Sequence, residues 1–526
     1  MTPFTSKKYK LLWLIAFLSV LFIIFLNASP IYILDEAKFT EASREMFVSG
    51  NFWVPFYNGK LFVDKPPLQN YFSILGFYLF GVNAFGARFF SGVFGVLTLI
   101  TTYLFVKDFL NKRSAEKTLF VLISSFFFLQ QFQLAVPDPY LVYFCSAALF
   151  SFYRFYIKQN PKNLLLCYFL LGLGVLTKGP VAIALPGLSI ALFLLINKQI
   201  KNVFSYYPIL GLIGILVVAA PWYYCVHELT KGEWTKGFFV VNNLERFSGA
   251  MQGHGGPFIV TWAYVLLGLF PFSLFLPQAI NKALKLNKNS IVCFSLIIGI
   301  VFILFFSLSA TKLPNYTMPC YPFLAILLGH YFENNWFTLT KGWNKISVFT
   351  IVILAVLLPF VIYFGLPFDP NLASKNSLGL WLIPTAIGSL VGVFYLLNGK
   401  FTYWFNFTGA SFLLLAIVLF GIIYPSLNKI NPVNIVNNHI GKKAEIVVYK
   451  RMDAAFPFNY QRIFPIVETP EELTTYLNKH PKAYVMSNIK NTATLDSIQD
   501  LNLVLQKKSP FEYHITKLYK RKDFKQ

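Results

Sequence analysis

Charge is scarce in this chain. Of its 526 residues only 13% are Asp, Glu, Lys or Arg, 56% are hydrophobic, and mean hydropathy is +0.57. A soluble domain carries about 25% charged residues, so a soluble globular protein is excluded. Acids are scarcest, at 22 against 45 Lys and Arg, which leaves a net charge of +23. The excess is spread over turns between apolar runs, where it reads as membrane topology; no nucleic-acid partner is expected. Cysteines are few, odd in number and mostly inside apolar runs: Cys145, Cys167, Cys225, Cys293 and Cys320. With no CxxC among them, neither a disulfide framework nor a thiolate metal site is expected.

What the chain has instead is apolar runs of about 20 residues, each able to cross roughly 30 Å of hydrocarbon. Thirteen spans are read, near 11–29, 87–106, 118–136, 139–157, 163–177, 180–197, 206–225, 257–279, 290–309, 317–333, 346–366, 378–396 and 404–424. Basic residues cluster at alternate turns, from Lys7, Lys8 and Lys10, through Lys107, Lys112, Arg113 and Lys117, to Lys400. By the positive-inside rule those turns are cytoplasmic, so the amino terminus is inside and, after an odd number of spans, the carboxyl terminus is outside. The first run could be a secretory signal; an uncleaved anchor is expected, because the charged stretch after it looks functional. The apolar stretch Gln69 to Gly86 is too short and interrupted to span, and is read as an interfacial helix.

From about Pro425 the composition changes. "AEIVVYKR", "KAYVMSNI" and "LNLVLQKK" have strand length, and "TPEELTTYLNKH" begins a helix with Thr469 as N-cap and Pro470 at the first helical position. The expected architecture is a polytopic α-helical membrane domain over 1–424, with a first outer loop at about 30–86, followed by a small soluble α/β domain over 425–526. The basic end "KLYKRKDFKQ" is read as a solvated tail or a contact with anionic lipid.

The turns on the other face differ in kind. They carry Asp35, Glu36, Arg44, Asp64, Lys65, Asp138, Lys178, Glu245, Arg246, His254 and Lys312, while the span middles are nearly free of charge. A transporter would place ionisable groups near the midplane; this pattern points to a site at the outer membrane surface. Read singly, each residue has an ordinary role and a chemical one. Asp35 opens "DEAKFTEASREM", as an N-cap or helix-dipole charge, or as a general base. Asp64 and Lys65, before a Pro-Pro turn, make a surface ion pair or hold a lipid phosphate. Asp138 in "VPDPY" is a turn former, and Lys178 in "LTKGP" a snorkelling lysine. "TKLPNYTMP" adds Lys312 and Tyr316. A lone loop His254 is a poor metal argument.

Together these stretches resemble a family. "LDEAKFTEASREMFVSGNFWVPFYNGKLFVDKPPLQNYF", "FGARFFSGVFG", "PDPYLVYF", "LTKGP", "ERFSG…HGGPF" and "SATKLPNYTMPCYPFLA" follow one another as in the lipid A aminoarabinose transferase (ArnT) family. That family stands with the protein O-mannosyltransferases among the integral-membrane GT-C glycosyltransferases. The resemblance covers about residues 11 to 330 and fades beyond. It implies a GT-C fold of about thirteen spans with interfacial helices in the first outer loop and a periplasmic soluble domain. It also implies transfer of a sugar, 4-amino-4-deoxy-L-arabinose or a hexose, from undecaprenyl (polyprenyl) phosphate to lipid A, protein or another periplasmic glycan. The expected setting is the bacterial inner membrane, and the expected state a monomer among membrane lipids.

By the same resemblance Asp35 is the catalytic carboxylate, supported by Glu36 and Arg44, and Asp138 a second one. Lys65 binds the donor phosphate, with Arg88, Lys178, Arg246 and Lys312 contributing to the field and Tyr316 donating a hydrogen bond. A cation fixed at the leaving phosphate acts more strongly in the transition state than in the ground state. Asp64 and His254 stand where aminoarabinose transferases have a metal-linked Glu and His. Here the acid is one methylene shorter, and two ligands fall short of the three protein ligands of a catalytic zinc. The resemblance thus implies at most a divalent metal (Zn, Mg or Mn), and no nucleotide cofactor. Sugar and acceptor are not readable from the sequence. A lipid or sugar transporter predicts internal repeats and mid-depth charges, which are not seen; a non-catalytic scaffold leaves the "DE", "DKPP" and "KLPNY" clusters unexplained.

Overall fold

The computed structural model describes residues 7–245, 249, 255–489, 495, 498, 500–510 and 514–522. Helix dominates through residue 440. Among the described residues seven helices are long and apolar enough to cross a membrane: Ala84–Phe109, Asp138–Lys158, Pro208–Leu229, Ile291–Leu308, Gly342–Phe368, Ala373–Leu397 and Phe401–Asn428. The protein is therefore a polytopic membrane protein. Other predicted spans are shorter or broken. The run at 118–136 splits between Lys112–Ile123 and Phe126–Gln131, at Ser124 and Ser125. The one at 257–279 is two helices, Val260–Gly268 and Phe272–Ala283, meeting at a bend of 117° rather than one straight rod.

The elements that build the site come early. Helix α1 (Lys7–Ile23) leads to α2 (Leu34–Ser49) and α3 (Leu68–Phe80), which lie in the first loop where interfacial helix was expected. Between α2 and α3 a two-residue hairpin pairs β1 (Phe56–Tyr57) with β2 (Lys60–Leu61). Its turn is Asn58-Gly59, both at positive φ (50° and 73°), the conformation that favours Asn-Gly in two-residue hairpins. Helix α4 (Ala84–Phe109) starts where the Asn83 side chain accepts from the Gly86 N–H at 2.9 Å. It turns back on α3 so closely that a Cβ on Gly76 would overlap the Gly86 carbonyl. Gly76→Ala is expected to cost about 1–3 kcal/mol through overpacking, read as a lower unfolding temperature of the detergent-solubilised protein; an unchanged temperature would show that α3 and α4 can part.

Helices α7 (Asp138–Lys158) and α8 (Pro161–Lys178) form an antiparallel hairpin joined by a two-residue link at Gln159 and Asn160. Asn160 caps α8 by accepting from the Lys162 N–H at 3.0 Å, and Pro161 takes the first helical position. Twenty-one residues at 1.5 Å per residue make α7 about 31 Å long. The hairpin therefore returns Lys178, the last residue of α8, to the end where Asp138 begins α7. Each sits at the helix end its charge favours.

After residue 440 the chain forms a five-stranded sheet in the order β4-β3-β5-β7-β6. Strands β3 (Ile446–Tyr449), β4 (Ile466–Val467) and β5 (Tyr484–Ser487) are parallel; β6 (Leu501–Lys508) and β7 (Ile515–Arg521) are antiparallel. The helix Pro470–Lys479 opens with a full capping box between Thr469 and Glu472. The part of the expected tail over 517–521 is instead strand: β7 lies between β5 and β6, with Leu518 and Tyr519 buried. These two neighbours pack on opposite faces of the sheet, and the basic residues that flank them make "KLYKR" look charged in composition while it pairs as sheet.

The sheet domain rests on the first loop. Asn58 donates to the Phe464 carbonyl at 3.0 Å and its Oδ1 accepts from the Phe464 N–H at 2.8 Å. Asn459 donates to the Ile31 carbonyl at 2.8 Å, and the Tyr57 hydroxyl to the Ala454 carbonyl at 3.3 Å. On the other side Lys508 pairs with Asp369 at 3.2 Å, where the backbone N–H and side chain of Asn371 and the Lys508 ammonium hold the Asp369 carboxyl below its usual range.

Candidate active site

Two cavities divide the predicted residues. The first, about 390 Å³, is mostly apolar and lined by Leu141, Val181, Phe302, Phe305 and Phe306, with Lys65, Lys178 and Tyr316 among its polar groups. The second, about 1070 Å³, is lined by Asp35, Glu36 and Arg88 and closed above by the sheet domain, through Lys450, Arg451 and Asn488. The segment between Ser309 and Tyr316 walls both: its ends line the first cavity and Leu313 lines the second.

In the first cavity Lys178 donates to Asp138 Oδ1 at 2.6 Å, with Asp138 only 5% exposed, and its ammonium lies 5.1 Å from the Tyr316 ring centre. The pair leaves one buried carboxylate neutralised and sets the lysine over an aromatic ring at the cavity wall. Lys65 approaches from the first loop and lies over the Phe238 ring at 5.8 Å. Its loop is held by Asn242, which donates to the Val63 carbonyl at 3.2 Å from the π-helix Gly237–Glu245. The Trp234 indole N–H donates to the Phe62 carbonyl at 2.9 Å and the Trp234 ring stacks on Phe238. An irregular helical turn at such a place is a frequent mark of a functional site. Lys312 is buried beside the cavity and donates to the Ser309 carbonyl at 2.6 Å, so its charge is present there but its ammonium fixes the shared wall.

In the second cavity Asp35 is exposed, in the first turn of α2. It is not the N-cap: Ile33 takes that position without a side-chain bond. Its side chain makes no ion pair or hydrogen bond among the described residues. Glu36, next to it, is fully buried. Arg88 grips it with both arms, at 2.6 and 2.8 Å, and Glu36 Oε1 also accepts from the Ala135 N–H at 2.8 Å. Arg88 spends its remaining donors on the carbonyls of Leu26, Ser29 and Pro30, at 2.9, 2.6 and 3.4 Å. Arg88 thus lies outside the Lys65 cavity, committed to holding the end of the first span against α2. Arg44 is committed too, bidentate on Glu41 at 2.6 and 2.7 Å, and lines neither cavity; burial pushes the Glu41 carboxyl up to about 7 against the pull of that guanidinium.

Arg246 and His254 lie outside the described residues, so Asp64 is the described member of the suggested metal pair. It is half-buried beside Lys65, and no group of three His, Cys, Asp or Glu residues at metal-binding spacing occurs among the described residues. Sequence reading missed Lys450, Arg451, Asn488, Gln133 and Asn428 in the second cavity. They come from segments far apart in the chain, and only the docking of the sheet domain brings them together.

The membrane core matches a family model described as dolichyl-phosphate-mannose-protein mannosyltransferase, over residues 64–224. An undecaprenyl phosphate-alpha-4-amino-4-deoxy-L-arabinose arabinosyl transferase 1 from Proteus mirabilis is 32% identical over 341 residues, 62% of this chain and 60% of that protein. A protein of the same name, without the number, from Shewanella sediminis is 28% identical over 77% of this chain and 74% of its own. The match thus spans less than two thirds of the Proteus relative. In three dimensions the agreement runs nearly end to end: ArnT from Cupriavidus metallidurans, solved with undecaprenyl phosphate, superposes with a TM-score of 0.78 over 98% of both chains, at 19% identity. This chain has the GT-C fold of ArnT. The archaeal oligosaccharyltransferase AglB, from Archaeoglobus fulgidus, shares the fold more distantly, with a TM-score of 0.50 over 92% of this chain and 70% of its own, at 14% identity. The residues matched by the family model, 64–224, include Lys65, Arg88, Asp138 and Lys178, the groups that link the two cavities to the membrane helices.

Proposed function

We propose that the protein is a glycosyltransferase that moves a sugar from undecaprenyl (polyprenyl) phosphate to an acceptor at the outer face of the inner membrane, lipid A being the acceptor that the sequence resemblance implies. The observation that carries this is the pairing of an apolar cavity bearing two lysines and a tyrosine with a polar cavity bearing one uncommitted carboxylate, divided by a single wall. An isoprenoid tail needs the first. Its phosphate needs the cations at the tail's polar end, Lys65 and Lys178, with the Tyr316 hydroxyl as a hydrogen-bond donor.

In the reaction the bond from the sugar's anomeric carbon to the donor phosphate oxygen breaks, and a bond to the acceptor oxygen forms. The phosphate leaves with one more negative charge than it had as a diester. Lys65 and Lys178 meet that charge where it develops, in a cavity poor in water. Asp35 faces the acceptor. It takes the proton of a hydroxyl acceptor, or orients an acceptor phosphate that is already ionised. Asp138 acts through Lys178 as a positioning residue. The proposal includes thirteen spans, an amino terminus inside and the sheet domain outside, which places both cavities on the outer face.

The test is mass spectrometry of lipid A and periplasmic glycoprotein from wild type, a deletion strain, and the deletion strain carrying Lys65→Ala. A pentose- or hexose-sized adduct on lipid A should vanish on deletion and stay below a tenth of its wild-type level with Lys65→Ala, since one charge-assisted contact to the leaving group gives at least tenfold. Loss of a sugar from protein alone would move the acceptor to protein; no change in either fraction would sink the reading.

A further inference from the structure

The second cavity is roofed by a domain that the proposed chemistry does not yet use. Lys450 and Arg451 follow the last residue of β3, and Asn488 follows the last residue of β5. Both positions are carboxyl ends of adjacent parallel strands, where open α/β sheets bind their ligands. The backbone is built to hold them there. Lys450 sits at φ 61°, with its N–H on the Val467 carbonyl at 2.8 Å, and the Asn488 N–H donates to the Arg451 carbonyl at 2.9 Å.

The charge of the cavity is unbalanced. Lys38, Lys450 and Arg451 line it, and none of them pairs with an acid within 4.0 Å among the described residues. Against them stands Asp35, since Glu36 is neutralised by Arg88. The polar lining is also unfinished. Asn488 Oδ1, Asn428 Oδ1 and Gln133 Oε1 are buried without a hydrogen-bond partner among the described residues, on side chains 1%, 6% and 8% exposed. Buried polar atoms are nearly always paired, and the three residues that carry these line one 1070 Å³ cavity, where a small side-chain rotation brings them to a polar ligand.

We infer that Arg451, with Lys450, is the anion-recognition element of the acceptor site: the sheet domain selects an acceptor carrying an anionic group such as a phosphate, and holds it over Asp35. This rests on the transferase reading for what the bound molecule does, but not for whether it binds. The selecting residues lie outside the membrane domain, on a domain that reaches the first loop through the Asn58–Phe464 and Asn459–Ile31 hydrogen bonds. The donor phosphate has its own cations in the other cavity.

Binding to the full-length protein in detergent, followed by native mass spectrometry, tests this with three probes: a bis-phosphorylated glucosamine disaccharide glycolipid, the same lipid after phosphatase treatment, and undecaprenyl phosphate. Arg451→Ala should weaken the phosphorylated glycolipid about tenfold, and Arg451→Lys should restore most of it, because a charge-assisted hydrogen bond is lost and regained. The dephosphorylated lipid should bind wild type at least tenfold more weakly and ignore the substitution. Undecaprenyl phosphate should bind both variants as it binds wild type, which a merely misfolded domain would not guarantee. Equal binding of the two glycolipids, or a wild-type affinity in Arg451→Ala, overturns the inference, as does a loss that falls on undecaprenyl phosphate instead. If wild type fails to bind undecaprenyl phosphate while the glycolipid pattern holds, the donor reading fails and this one stands.

Discussion

Asp35→Asn is expected to lower sugar transfer by about 10²–10⁴-fold while leaving undecaprenyl phosphate binding and the unfolding temperature close to wild type. The expectation follows from what surrounds the carboxylate. Two acids stand side by side at the start of α2, and the fold treats them oppositely. Glu36 points inward and is consumed by Arg88 and the Ala135 N–H. Asp35 is exposed to the large cavity, with no protein partner for its side chain among the described residues. If it served only as a favourable charge on the helix dipole, its loss would cost about 0.3–1 kcal/mol of stability and nothing in turnover. Single-turnover transfer with preloaded donor separates the two. An Asp35→Asn enzyme that transfers at the wild-type rate would remove the carboxylate from the chemistry. Asp35→Glu should recover part of the rate, since the acid is kept and only its reach changes.

The order of polar groups along the chain predicted much of this site, and the places where it misled have physical causes. Asp138 and Lys178 were readable because hairpins return helix ends to one face: an acid opening one helix and a lysine closing the next must meet if the helices are antiparallel neighbours. Their 2.6 Å contact is the outcome. Lys65 was readable from the Pro-Pro turn behind it. Arg88 was misplaced because only its position at the start of a span is visible in sequence; its partner, Glu36, is 52 residues away. The strand at 515–521 was hidden by the basic residues that flank its buried Leu518-Tyr519 pair. Spans such as 118–136 were drawn too long because apolar composition does not register the Ser124-Ser125 break. Lys450, Arg451 and Asn488 had no readable signal at all. They are single polar residues after short strands, and acquire meaning only where β3 and β5 end over α2.

Arg88→Ala should be the most destabilising single substitution near the site, at about 3–5 kcal/mol. Arg88 is 5% exposed and serves two segments at once: Glu36 of α2, and the carbonyls of Leu26, Ser29 and Pro30, which join the first span to it. Removing it leaves a fully buried carboxylate with one N–H donor, from Ala135, and takes a donor from three carbonyls. A lone buried charge is far costlier than the pair was helpful, because each ion has already given up its hydration. Two further variants distinguish this account from a general loss of packing. Glu36→Gln in the Arg88→Ala background should recover stability, since the uncompensated charge is gone. Arg88→Lys should fall between, because a point ammonium cannot repeat the two-armed grip. Thermal unfolding in detergent gives the order: wild type highest, then Arg88→Lys, then the double variant, with Arg88→Ala lowest. An Arg88→Ala protein that unfolds with wild type would mean that Glu36 is held neutral by other groups. Undecaprenyl phosphate binding should survive in whatever folded fraction remains, since Lys65, Lys178 and Tyr316 line a cavity that Arg88 does not reach. Transfer should fall with the fold of α2, because the helix that Arg88 anchors is the one that carries Asp35.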